Sequence, residues 1–166
     1  MSEPQISLDH FLCFGLYAAN HSFHRAYRPF LEAMGLTYPQ YVVMIALWSA
    51  ADAGEDDLTV GVLADRVCLE TSTLTPLLKR IEKAGLITRR RDAKDERLVR
   101  IALTETGTAL KAQGMATPVE LMHRAGLTHE YVSQLNLVVR DLKARLDAAA
   151  ADERPDGEAQ ATTPSR

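Results

Sequence analysis

The amino-acid sequence predicts a mainly α-helical protein with one small β-hairpin. Apolar residues recur at three- and four-residue steps over most of its 166 residues. Only one pair of alternating segments, Leu86 to Arg91 and Leu98 to Leu103, flanks a short polar loop, DAKDE. With 46% hydrophobic and 25% charged residues, the chain can bury a core, and its length fits a single domain over residues 1–166.

The composition excludes several classes of protein. No apolar run reaches the roughly 18 residues of a membrane span, and the start MSEPQISLDH lacks the pattern of a signal peptide. Two cysteines, Cys13 and Cys68, are too few for a disulfide framework or a four-cysteine zinc site. We therefore expect a cytoplasmic protein without a cofactor, in which both cysteines begin as thiols.

The first third of the chain predicts two helices. Residues 8–28 carry an apolar stripe at helical spacing, with Ser7 as the N-cap. Because the residue before a proline disfavours helical geometry, we expect a bend at Pro29 and then a short segment that ends at Gly35. Residues 37–49 are apolar nearly all round, which predicts a buried central helix.

The middle of the chain predicts two short helices followed by the hairpin. After a solvated loop over residues 50–57, Thr59 can cap the first helix. The second starts near Ser72 and stops at Gly85. Two short helices joined by a tight turn are typical of a helix-turn-helix. With the charged hairpin directly after them, residues 58–104 predict a winged helix-turn-helix.

Two further helices are expected at the C-terminal end. One covers residues 105–123 with an interruption before Pro118, and the other runs from its N-cap Thr128 to about Ala150. The last helix has a 3-4 apolar spacing, which predicts packing against another helix. This seam consists of Val132, Leu135, Val139, Leu142 and Leu146.

The seam favours a homodimer. We expect residues 7–49 and 105–150 to supply mainly dimerisation helices on either side of the winged helix-turn-helix. Residues 152–166 are rich in proline, glycine and polar residues, which predicts a disordered tail.

A net charge of −3 hides one strongly basic segment. Between Lys79 and Arg100 nine basic residues stand against four acidic ones, a local charge of +5. Hydroxyl side chains and free backbone N–H groups open the second helix, and both suit phosphate oxygens and base edges. A basic run alone is usually a solvated surface. Here it coincides with a helix-turn-helix and a hairpin whose arginines can enter a minor groove, so we expect double-stranded DNA as the partner.

Two stretches carry a resemblance to a known family. The run LADRVCLETSTLTPLLKRIEKAGLITRRRDAKDERLVRIALTETG resembles the winged-helix core of the MarR family of bacterial regulators. The run LDHFLCFGLYAANHSFHRAYRPFLEAMGLTYPQYVVMIALW is similar to the organic hydroperoxide resistance branch, whose pattern includes L-C-F, a later Tyr and T-Y-P-Q-Y. Together they cover most of residues 8–113. The resemblance implies a homodimeric repressor that binds an inverted-repeat operator.

The resemblance also implies the residues that contact DNA. The D-x-R of the family's wing matches Asp95 and Arg97, so Arg97 is the expected minor-groove residue and Asp95 helps to hold the wing. The start of the second helix carries the recognition contacts. The expected DNA-binding set is Glu70, Thr71, Ser72, Thr73, Thr75, Lys79, Arg80, Arg89, Arg91, Asp95 and Arg97.

Cys13 is the candidate sensor. At 100° per residue it lies beside the apolar face of the first helix, bordering the core, and a free cysteine there is usually a small buried hydrophobe. The resemblance implies instead a peroxide-sensing thiol that Tyr27 and Tyr38 hold as a thiolate. Cys13 and Tyr27 lie about 21 Å apart along one continuous helix, so either the helix breaks or Tyr27 comes from the partner subunit.

Thiolate chemistry then predicts oxidation of Cys13 to a sulfenic acid by an organic hydroperoxide, followed by release of the operator. Some family members resolve the sulfenic acid with a second cysteine after the wing, which this chain lacks. A low-molecular-weight thiol that forms a mixed disulfide is the expected partner. Cys68, in the turn of the helix-turn-helix, is expected to be buried, and its role as a resolving thiol stays open.

The sequence is also compatible with functions other than peroxide sensing. The regulator can instead bind a phenolic or lipophilic ligand reversibly, or the chain can be a thiol peroxidase, which would leave the basic wing unexplained. The pairs His10/Cys13 and His21/His24 have a spacing compatible with metal ligation. No third ligand is evident, so surface or pocket-lining histidines are favoured and no metal is expected.

Overall fold

The computed structural model describes residues 7–152, which form helices and one small antiparallel sheet. The elements are α1 (Leu12–Met34), α2 (Tyr38–Asp52), β1 (Asp57–Thr59), α3 (Val60–Val67), α4 (Thr71–Lys83), β2 (Ile87–Arg91), β3 (Val99–Leu103), α5 (Glu105–Ala109), α6 (Lys111–Arg124) and α7 (His129–Asp152). The sheet order is β1-β3-β2. The winged helix-turn-helix predicted from the sequence is confirmed. The chain forms two compact units that divide between Leu121 and Met122.

Helix α1 differs from the prediction at both ends. A 3-10 turn over Leu8–His10 precedes it, and Phe11 occupies the N-cap position that the sequence assigned to Ser7. Pro29 lies inside the helix, so the predicted division into a first helix and a separate short segment was wrong. An interior proline costs about 3 kcal/mol. Buried side chains on both sides of it, Tyr27, Leu31 and Met34, anchor the helix to the core and offset that cost. Gly35 ends the helix at φ 68°, as expected.

Helix α2 forms the centre of the core. Thr37 and Gln40 form a capping box, in which the Thr37 N–H donates to Gln40 Oε1 at 2.7 Å. The helix reaches Asp52, beyond the predicted end at residue 49, and Met44 and Trp48 are fully buried. The loop expected over residues 50–57 is thus partly helical, and its last residue begins β1. A strand of three residues is too short to show alternation in the sequence.

The helix-turn-helix follows the predicted order. The Thr59 hydroxyl accepts the Val62 N–H at 3.3 Å and caps α3. Between α3 and α4, Cys68 adopts the left-handed conformation at φ 54°. Helix α4 begins at Thr71, one residue before the predicted start, and the chain turns away at Gly85 with φ 75°. Its core face consists of Leu74, Leu77, Leu78 and Ile81.

The break between α5 and α6 falls at Leu110, whereas the sequence predicted it before Pro118, which lies inside α6. The Gly107 carbonyl just before the break accepts a hydrogen bond from Trp48 Nε1 at 2.9 Å. This bond ties α5 to the core immediately before the break, and it joins residues that lie 59 positions apart in the sequence. The predicted cap of α7 is present, because the Thr128 hydroxyl accepts the Tyr131 N–H at 3.2 Å.

Large exposed apolar side chains concentrate on helices for which the sequence predicts dimerisation. In α1 and the turn before it they are Leu8, Phe11, Leu12, Leu16, Tyr17 and Phe23, and along the α7 seam they are Leu135, Val139 and Leu146. Apolar patches of this kind mark interaction surfaces. No single helix within residues 7–152 is both long and apolar enough to cross a membrane, although α1 and α2 pass that test as a pair bent by 70°. The predicted tail lies outside the described residues, apart from Asp152.

Candidate functional site

Helix α4 presents one polar face to solvent. Thr71, Ser72 and Thr73 are exposed at its first turn, which follows the N-cap residue Glu70. The Thr75 hydroxyl donates to the Thr71 carbonyl at 2.8 Å. Farther along the helix, Lys79 and Arg80 are exposed as well. The buried leucines hold the opposite face, so the hydroxyls, the N-terminal N–H groups and the two cations remain available to a polyanion.

The tip of the hairpin is fixed by two aspartates. Asp92 Oδ1 accepts the N–H groups of Lys94 at 2.7 Å and Asp95 at 3.0 Å. Asp95 Oδ1 accepts the Arg97 N–H at 3.0 Å. The Asp92 N–H donates to the Leu98 carbonyl and closes the loop. These bonds shape the loop around Arg97, whose side chain is exposed at the tip.

The base of the wing is held by Arg100, for which no role was predicted from the sequence. Its Nη1 lies 2.6 Å from Asp57 Oδ1 on β1, and its Nε donates to the Asp92 carboxylate at the end of β2. One guanidinium on β3 therefore ties all three strands together. The pairing of Arg100 with Asp57 was not evident from the sequence, because Asp57 lies 43 residues before Arg100.

Asp92 makes the stability of the wing depend on pH. The bond from Arg100 and the two loop N–H groups lower the pKa of Asp92 to about 2, against an ordinary value of about 3.9. A lowered pKa stabilises the fold fully above pH 4, and this contribution is lost as the pH falls from about 4 to about 2. We expect Asp92→Asn to lower the urea midpoint at pH 7, with a difference from wild type that shrinks below pH 4. A difference that stays constant from pH 7 to pH 3 would contradict this assignment.

Arg89 faces the protein rather than solvent. Its side chain is only 20% exposed, and Nη1 lies 3.7 Å from Glu82 Oε2 on α4. Its Nε is buried without a hydrogen-bond partner among the described residues. By contrast, the side chain of Arg90 is 70% exposed, and Arg91, whose Nη1 donates to the Glu96 carbonyl, is exposed too. Arg89 thus braces the hairpin against α4.

A cluster of phenols lies where α1 packs on α2. The rings of Tyr27 and Tyr38 are 5.3 Å apart, and Tyr41 lies 5.7 Å from Tyr27. The Tyr41 hydroxyl donates to the Gly114 carbonyl at 2.9 Å. Burial raises the pKa of both Tyr27 and Tyr38, so each phenol keeps its proton at neutral pH and remains a hydrogen-bond donor.

The structure places both cysteines differently from the predictions. Cys13 does not border the core but is exposed near the start of α1. Because α1 is continuous, the explanation that a broken helix brings Cys13 to Tyr27 is excluded, and the two remain about 21 Å apart along the helix. Cys68 was expected to be buried and is also exposed.

The histidines pack on aromatic rings. His21 lies 4.3 Å from Tyr17, and His24 lies 4.5 Å from Tyr38, measured between ring centroids. Within residues 7–152 no group of three or more side chains is arranged to hold a metal ion. His24 therefore belongs to the phenol cluster, and the sequence had favoured a surface or pocket-lining position for it.

Known proteins resemble this chain over most of its length. The family model of the transcriptional regulators SarA/Rot matches residues 25–113. The regulator TtmR of Methylorubrum extorquens is 46% identical over 76% of the chain, although the match spans only 62% of TtmR. The organic hydroperoxide resistance transcriptional regulator of Bacillus subtilis is 38% identical, with 78% of this chain and 85% of that protein covered.

Solved structures of regulators also resemble this chain. Reduced AbfR bound to DNA superimposes with a TM-score of 0.70 at 28% identity, covering 84% of this chain and 92% of AbfR. AbfR is a protein of Staphylococcus epidermidis. The family resemblance of the two sequence stretches is thereby confirmed. The chain belongs to the SarA/Rot family of transcriptional regulators, which have the winged-helix fold of the MarR type.

Proposed function

We propose that the protein is a homodimeric repressor that releases its operator when an organic hydroperoxide oxidises Cys13. The observation that carries this proposal is an exposed thiol near the start of α1, the helix whose second half bears the buried Tyr27. Tyr27 packs there against the half-buried Tyr38 of α2, at a distance from Cys13 that one chain cannot close. The similarity to the B. subtilis organic hydroperoxide regulator supports it.

A second copy of the chain accounts for two features of the single chain, namely the distance between Cys13 and the phenols and the exposed apolar side chains around Cys13. The apolar side chains that flank Cys13, including Phe11, Leu12 and Leu16, are exposed in the single chain and need a cover. In a two-fold dimer, each α1 can cover the other and bring Cys13 of one copy to Tyr27 and Tyr38 of the second. Sensing then requires the dimer, and the α7 seam adds contact area.

The two-fold axis also defines the DNA target. Two copies of α4 reach successive major-groove segments of an inverted repeat, while each wing tip lies over a minor groove. The reduced, DNA-bound form of AbfR supports this arrangement. The proposed contacts are Glu70, Thr71, Ser72, Thr73, Thr75, Lys79, Arg80, Arg91 and Arg97. Asp95 and Arg89 act by holding the wing.

Oxidation of Cys13 changes the dimer and thereby its ability to bind the operator. The Cys13 thiolate attacks the terminal peroxide oxygen, the O–O bond breaks, and a sulfenic acid and an alcohol are formed. The larger, neutral sulfur no longer accepts the same phenol bonds, so the dimer helices shift and the half-site spacing is lost. A low-molecular-weight thiol then forms a mixed disulfide and releases water. AbfR has itself been solved in a disulfide-formed state, and also in an overoxidised state that is bound to DNA.

Operator binding tests the proposal. Treatment with cumene hydroperoxide should release wild-type protein and Cys68→Ser from the operator, whereas Cys13→Ser should stay bound. Fluorescence anisotropy with labelled operator, before and after treatment, measures all three. Release of Cys13→Ser by peroxide would contradict the proposal. Consumption of many peroxide molecules per protomer in the absence of added thiol would indicate a peroxidase.

A reversibly bound ligand is the second candidate function. A cavity of about 360 Å³ borders the phenol cluster and is lined by His24, Arg28, Leu31, Leu36, Tyr38 and Pro39, among others. Its mixture of apolar and polar groups suits a small phenolic or lipophilic molecule. Operator release from Cys13→Ser by such a compound, without oxidant, would favour this function over redox sensing.

A further inference from the structure

We propose that His24 donates the proton that the alcohol leaving group needs when Cys13 is oxidised. This inference rests on the proposed function and assigns a role to a residue outside the thiol–phenol set. His24 is half-buried on α1, its ring centroid lies 4.5 Å from that of Tyr38, and it lines the 360 Å³ cavity beside the phenols.

The chemistry requires an acid. When the thiolate sulfur forms its bond to the terminal peroxide oxygen, both electrons of the O–O bond leave with the distal oxygen as an alkoxide. Sulfur is oxidised by two electrons and the peroxide is reduced. An alkoxide is a poor leaving group in water, so proton transfer from a positioned side chain lowers the barrier. The transferred proton converts the alkoxide to an alcohol, and the imidazole regains a proton from solvent.

The other groups around this site are poor proton donors. Burial raises the pKa of Tyr27 and Tyr38, which favours hydrogen bonding over proton release. The Tyr41 hydroxyl is already bound to the Gly114 carbonyl. Arg28, which lines the same cavity, keeps its charge at every physiological pH. Imidazole is the side chain that ordinarily exchanges protons near neutrality.

The geometry suits a peroxide between sulfur and imidazole. A Tyr38 hydroxyl that donates to the thiolate at about 3 Å brings the sulfur next to the ring on which His24 packs. The cavity then extends from His24 along Leu31, Leu36 and Pro39, which can receive the organic part of the peroxide. The charged residues of α1 that line this cavity together with His24 are Arg28 and Glu32.

The rate of Cys13 oxidation tests this role. Sulfenic acid formation in the full-length protein can be followed with a dimedone trap and mass spectrometry, for wild type, His24→Gln and the control His129→Gln. With tert-butyl hydroperoxide at pH 7, we expect His24→Gln to react about 100-fold more slowly, as for loss of a general acid. His129→Gln should react like wild type, because His129 is exposed at the start of α7 and is not among the residues that line the cavity.

The leaving group separates proton donation from mere positioning. Peracetic acid releases acetate, which needs no proton, so His24→Gln should oxidise with it at nearly the wild-type rate. Equal slowing with both oxidants, or no slowing with either, would overturn the inference. Failure of the proposed function is recognised separately, because Cys13→Ser would then still respond to peroxide.

Discussion

Replacing Gly114 by alanine should lower the free energy of unfolding by about 3 kcal/mol, as expected for overpacking a rigid core. A Cβ at this position would lie 2.3 and 2.5 Å from two carbons of the Trp48 ring, far inside van der Waals contact. The indole cannot move away, because it is fully buried and its Nε1 donates to the Gly107 carbonyl. The gain in helix propensity, about 1 kcal/mol, does not compensate.

Thermal unfolding followed by circular dichroism measures the change, with an expected fall in Tm of roughly 10 °C for a chain of this size. Gly61→Ala provides the matched control. Gly61 also lies in a helix, but a Cβ there meets nothing within 4 Å, so this variant should be as stable as wild type or slightly more stable. Equal melting of the two variants would show that the Trp48 contact is not tight.

Arg97→Ala should weaken operator binding by about 1 to 3 kcal/mol, or roughly tenfold to a hundredfold. Arg97 is exposed at a wing tip whose backbone Asp92 and Asp95 hold in shape, and the proposed function assigns its guanidinium to the DNA interface. Loss of one cation at the DNA should also reduce the slope of log affinity against log salt by about one. Titration of labelled operator at several salt concentrations gives both quantities.

Two further variants separate contact from positioning. Asp95→Ala removes the acceptor of the Arg97 N–H and should weaken binding without a change in the salt slope, because no cation is lost. Arg145→Ala removes an exposed arginine that pairs with Asp141 on α7 and should leave both quantities unchanged. An unchanged salt slope in Arg97→Ala would remove this residue from the DNA interface.

Local signals in the sequence predicted much of the fold. Thr59 and Thr128 cap their helices as expected, because each hydroxyl oxygen accepts the N–H three residues on and needs no tertiary partner. Gly35 ends α1 in the left-handed backbone conformation, which glycine adopts without a tertiary contact. The wing and the basic charge cluster were also visible, because the hairpin is contiguous in sequence.

Predictions failed where distant residues decide the structure. Burial of Leu31 and Met34 holds α1 to the core beyond Pro29, and the bond from Trp48 Nε1 to the Gly107 carbonyl fixes α5 next to the break before α6. Strand β1 exists because β3 pairs with it, and Arg100 acts through Asp57, far away in sequence. Cys13 was placed at the core because the periodicity of one helix does not reveal whether a second chain covers its apolar face.

Trp48 gives the protein its own optical reporter. It is the only tryptophan in the sequence, and its indole is shielded from water, so its emission should be blue-shifted in the folded state. Its ring rests on Gly114 of α6 and its N–H on the last turn of α5. A change of emission on oxidation would show that the rearrangement passes through this junction, and a constant spectrum would locate the movement elsewhere, without any attached dye.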